Sequence, residues 1–121
     1  MEKEEKIIKK FYTVWKSMIS RCRSNKNSSY RYYGGRGIKV SKEWQEYSNF
    51  MEDMFDEYYN IMKDEDITKR NFIATLDRID SNGDYCKENC RWVDIKTQID
   101  NRRQYMYPNS IIKDFSKQIS R

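Results

Sequence analysis

Two stretches of this chain hold most of its chemically useful side chains. The first is Leu76-Asp77-Arg78-Ile79-Asp80, then Glu88-Asn89-Cys90-Arg91-Trp92-Val93, then Gln98 and Asn101-Arg102-Arg103. It packs acids, amides and guanidinium groups into one strand, loop, strand and helix. The second is Arg31-Tyr32-Tyr33-Gly34-Gly35-Arg36, where Arg and Tyr alternate. Guanidinium groups pair with phosphate, and phenols stack or hydrogen-bond, so these residue types point to polyanion recognition. There is no histidine, which removes the usual general base and the usual zinc ligand together. Cys22, Cys86 and Cys90 make an odd count with no export signal, so buried reduced thiols are expected rather than a disulfide framework. Zinc is not expected: beside three thiolates a carboxylate or water would have to complete the site.

The charge is unevenly placed. Of a net +5, residues 1–40 carry +8 and residues 41–71 carry −5. A basic first third beside an acidic middle suggests a surface that faces a polyanion, with an opposite side turned away. Charge alone fits a solvated surface that binds nothing equally well.

The elements that must position these groups follow from periodicity. Residues 4–23 are predicted to form a helix with Ile8, Phe11, Trp15, Met18, Ile19 and Cys22 on one face. Residues 24–29 form a polar loop. Gly34-Gly35-Arg36-Gly37 permits positive φ or a close backbone approach, and Ile38-Lys39-Val40 reads as a short strand. Ser41 is placed as the cap of an acidic helix running to about Lys63, with a stripe of Trp44, Tyr47, Met51, Met54, Phe55, Tyr58 and Met62. Asp64-Glu65-Asp66 closes it. Phe72 to Ile79 reads as a strand, Asp80-Ser81-Asn82-Gly83 as a turn, and residues 90–93 as a second strand. A helix follows from the Asp94 cap to about Tyr105, and Pro108-Asn109 breaks it. Ser110 to Ile119 reads as a short last helix.

The 121 residues make one domain, residues 1–107, with 108–121 a tail or short helix. Within the domain lie a basic helix and Gly-rich loop over 1–40, an acidic helix over 41–66 and a hairpin unit over 72–106. Only 37% of residues are hydrophobic and the mean hydropathy is −1.10, but 15% are aromatic, which is enough for a small core. No apolar run is long enough to cross a membrane, so a cytoplasmic protein is expected, without a membrane partner.

The ordered set Asp77, Asn89, Arg91-Trp92-Val93 and Gln98 resembles the ββα-metal hairpin of HNH endonucleases. In that family an Asp-His pair ends the first strand, an Asn opens the second, and a polar ligand lies on the following helix. Trp15, Met18, Arg21-Cys22, Tyr33-Gly34-Gly35-Arg36-Gly37-Ile38, Glu43-Trp44 and Leu76 to Arg103 are similar to small phage and prophage proteins labelled HNH-like endonucleases. The resemblance implies an α+β fold: a ββα-metal (HNH-like) hairpin and helix flanked by two long amphipathic helices. It implies a metal-dependent DNA endonuclease or nickase, with Mg²⁺ or Mn²⁺ held by the oxygen ligands Asp77, Gln98 and Asn101. Asp77, Arg78 and Asn89 would be its catalytic residues, with Asn89 bracing the loop. DNA would be contacted by Arg21, Arg23, Arg31, Tyr33, Arg36, Arg78, Arg91, Arg102 and Arg103.

One position departs from the family. Where the general base His is usual, this chain has Arg78. Arginine is no base near neutral pH, though it can hold a phosphate, and Arg78→His would restore the ordinary base. Two other functions therefore stay open. One is an inactive HNH-like module that binds nucleic acid. The other is a phage protein that blocks a host defence protein, its acidic helix imitating nucleic acid.

Overall fold

The computed structural model of the chain describes residues 2–67 and 74–94. Helix α1 spans Lys3–Arg23, helix α2 spans Tyr47–Met62, and strands β1 (Ala74–Arg78) and β2 (Cys90–Asp94) form an antiparallel hairpin. The fold is α+β. Of the expected ββα unit, the two strands lie in the described part. Asp94, expected as a helix cap, ends β2, and the rest of that helix to about 105, the last helix, the domain boundary at 107 and residues Phe72 and Ile73 of the first strand lie outside the described residues.

The core is an aromatic cluster centred on Phe11. Its ring lies 5.0 Å from Phe50, 5.3 Å from Tyr58 and 6.0 Å from Trp92, which joins α1, α2 and β2. Each Trp also bonds another element through its indole N–H. Trp15 donates to the Trp44 carbonyl, Trp44 to Asp53 Oδ2 and Trp92 to the Met54 carbonyl, at 2.8, 2.9 and 2.8 Å. The three indoles thus pack without leaving an orphaned N–H donor.

Three expectations are corrected. First, α1 buries Ile7, Phe11 and Met18, while Ile8 is 40% exposed. A helical period admits either isoleucine, and the position of α2 selects the line through Ile7. Second, the helix expected from Ser41 is broken. A 3-10 turn at Glu43–Gln45 is followed by an extended Glu46, and α2 starts at Tyr47. Ser41 Oγ accepts the Trp44 N–H at 3.3 Å, so it caps the short turn instead. On one straight helix Trp44 and Asp53 would lie about 180° apart. The break folds Trp44 back onto Asp53 and onto Phe50, whose ring it meets edge-on at 4.9 Å. Phe50, absent from the expected stripe, is fully buried.

Third, residues 38–40 are no strand. Val40 makes a single parallel bridge to Tyr85, with Tyr85 N–H to the Lys39 carbonyl at 2.9 Å and Ser41 N–H to the Tyr85 carbonyl at 2.8 Å. The partner is a loop that enters a 3-10 turn at Lys87–Asn89, so no ladder can extend. Among the described residues no helix is long and apolar enough to cross a membrane.

Candidate nucleic-acid interface

The loop between β1 and β2 is held from inside by one amide. Asn89 Oδ1 accepts the Asp80 N–H at 2.9 Å. Asn89 Nδ2 donates to the Asp80 carbonyl at 3.1 Å and the Asp84 carbonyl at 2.9 Å. Asp80 makes its own turn by accepting the Asn82 N–H on Oδ1 at 2.9 Å. The Asn89 amide lies so close that a Cβ on Gly83 would meet its nitrogen at 2.7 Å, which accounts for glycine there.

Arg78 ends β1 with its side chain turned into the same loop. Its Nη1 donates to the Ser81 carbonyl at 2.7 Å and the Gly83 carbonyl at 2.9 Å. Its guanidinium carbon lies 5.1 Å from both the Tyr33 and Tyr85 ring centres. Arg21 approaches the same pair: it lies 5.4 Å over Tyr33, and its Nη1 donates to the Tyr85 hydroxyl at 3.4 Å. The two rings stack at 6.1 Å. Two guanidinium groups and two phenols thus form one half-buried knot. Of the residues expected to meet DNA, Arg21, Tyr33 and Arg78 join helix, Gly-rich loop and hairpin to one another. Burial pushes the Tyr85 hydroxyl pKa up, against the pull of Arg21. Burial also raises the Cys22 thiol, which Arg78 and Arg21 partly offset.

The basic segment is sewn to the hairpin loop at further points. Lys39 N–H donates to Asp84 Oδ1 at 2.9 Å, and Arg36 Nη2 donates to Asn82 Oδ1 at 2.7 Å. Gly34 permits this course, because a Cβ there would collide with the Cys22 carbonyl of α1 at 2.3 Å; Gly37 turns the chain at φ 88°. Along the outer rim Arg31, Tyr32, Arg36 and Lys39 are exposed. Arg23, also exposed, donates to the Gln45 side chain.

Asp77 lies on the other face of the hairpin, directly opposite Arg91. Arg91 Nε donates to Asp77 Oδ2 at 3.0 Å, and the two side chains are 52% and 31% exposed. Of the expected metal ligands, the described residues bring only Asp77, and it is already ion-paired. Among those residues there is no cluster of three or more His, Cys, Asp or Glu that could hold an ion. Gln98, Asn101, Arg102 and Arg103 lie outside the described residues. The donor set in the described part, a single ion-paired carboxylate, therefore does not fit Mg²⁺ or Mn²⁺ by itself. Cys22, Cys86 and Cys90 are free thiols, and burial raises Cys90 to about 12.

Sequence reasoning missed Tyr85, Asn82 and Asp84. Tyr85 stacks on Tyr33 from far along the chain, and no local period marks it. Compared with known proteins, the chain matches no family model, no curated protein and no solved structure.

Proposed function

We propose that this protein binds nucleic acid, DNA in the first instance, through the rim where the basic segment lies on the hairpin loop. One observation carries the reading. Arg21 to Lys42 holds seven basic and no acidic side chains, and the knot of Arg21, Arg78, Tyr33 and Tyr85 fixes that segment against the hairpin. The exposed Arg23, Arg31, Arg36 and Lys39 then present charge from a rigid support, as backbone-phosphate contacts require. An anisotropy titration of labelled DNA against salt tests it. Three to four phosphate contacts give a slope of log K on log salt of about −3. A flat response, or no affinity at low salt, rejects the reading and favours a protein partner.

Cleavage of DNA in the manner of HNH endonucleases is the second reading. It is favoured by the braced hairpin, with Asn89 tying the loop and Asp77 near the end of β1. Plasmid nicking with Mg²⁺ or Mn²⁺, compared with EDTA, separates it from binding alone. Nicked plasmid in the metal lanes only supports an endonuclease; intact plasmid in all lanes rejects it.

A further inference from the structure

The Tyr-rich turn splits its rings between two tasks. Tyr30 lies against Gly34 and Gly35, and Tyr33 stacks on Tyr85 under two guanidinium groups. Tyr32, between them, faces outward. At 54% exposure it is the most exposed aromatic side chain of the described residues, and no other ring stacks on it there. An exposed phenol on a floppy loop would mean little, but this one is anchored. The Tyr32 N–H donates to the Ser29 carbonyl at 2.9 Å, and Arg36 Nη1 donates to the Tyr32 carbonyl at 3.3 Å. Arg31 holds its guanidinium 4.7 Å over the ring, and Arg36 continues to Asn82 on the hairpin. A ring on a tied backbone, with Arg31 over one face and Arg36 on its carbonyl, is therefore offered to solvent, on the rim read above as a nucleic-acid surface.

We propose that Tyr32 is a stacking platform for an unpaired base, with Arg31 and Arg36 meeting the flanking phosphates. The nucleic acid this protein takes is then single-stranded or locally unpaired. The physical reason is access. Base faces in a duplex are covered by their neighbours, whereas an unpaired base offers its π-face, and stacking on an aromatic side chain adds affinity whatever the base. Each guanidinium keeps donors beyond those it now uses, so phosphate contact does not require the rim to be dismantled. The inference rests on the nucleic-acid reading above and names its substrate class.

The test uses the full chain, a labelled mixed-sequence single strand, and the same strand annealed to its complement, titrated by anisotropy at one salt concentration. The expected result is tighter binding of the single strand. Tyr32→Ala loses about tenfold on the single strand, as removal of one stacking ring does, and under about twofold on the duplex, with an unchanged thermal melt. Tyr32→Phe retains affinity, and the added fluorescence of Tyr32→Trp is quenched by the single strand, which a merely structural side chain would not produce. Duplex binding with a strand preference that Tyr32→Ala leaves unmoved overturns this inference alone. Absence of binding to either form overturns the nucleic-acid reading and this inference with it.

Discussion

Replacing Arg78 should unfold the protein more than it disarms it. The Nη1 nitrogen donates to the Ser81 and Gly83 carbonyls, at 2.7 and 2.9 Å, and the guanidinium lies against two phenol rings. Hydrogen bonds from a charged donor contribute about 1.5–3 kcal/mol each, and the lower end applies because water reaches this loop. The cation–π contacts add about 0.5 kcal/mol each at a partly exposed site. Arg78→Ala should therefore cost about 3–4 kcal/mol. For a chain of this size that lowers the melting temperature by roughly 12–16 °C. Arg78→Lys should cost about half as much, because an ammonium can reach one carbonyl but cannot lie flat on the rings. Arg78→His, the change that restores the usual nuclease base, should be close to Arg78→Ala in stability, since an imidazole is too short to serve both carbonyls. Urea and thermal melts of the four proteins give the order. An Arg78→Ala protein that melts with wild type, yet loses DNA affinity, would refute the argument: the guanidinium would then serve phosphate and not the loop.

Asn89→Ala should destabilise by about 1–3 kcal/mol, because the Asp80 N–H and two loop carbonyls lose their partner; a wild-type urea midpoint would remove the bracing role. Trp92→Ala should cost about 3–5 kcal/mol, since its ring fills the space between Phe11, Phe50 and Tyr58. Trp92→Phe should cost less in the same chemical melt, and equal losses would show that the indole bond to Met54 outweighs the packing. Stability should fall in alkali: burial raises Tyr58 from 10.0 and Cys90 from 9.0, each to about 12. The folded state therefore holds protons that the unfolded state releases, so the contribution is complete below about pH 9 and lost as pH rises toward 12. Urea midpoints flat from pH 8 to 11 would contradict that burial.

Local pattern was enough for the two long helices, the Asp80 to Gly83 turn and the second strand. Each depends on near neighbours: a 3.6-residue period, an Asx turn, an alternation of two. The loop-tying use of Asn89 was also legible, through the resemblance of its surroundings to a known hairpin. The break at Glu46 was not, because nothing near residue 46 shows that Trp44 must reach Asp53 and Phe50. Neither was the choice of Ile7 over Ile8, which only the position of α2 makes. The fate of the arginines was least legible of all. Arg21, Arg31 and Arg78 carry the same group, and composition treats them alike. Only the packing of α1, the Gly-rich loop and the hairpin turns Arg21 and Arg78 inward onto Tyr33 and Tyr85 while Arg31 stays on the surface. The sequence alone determined that this chain concentrates cations and phenols in its first third. Tertiary structure decided which of them are spent holding the fold, because a guanidinium finds its partner by distance in space, not along the chain.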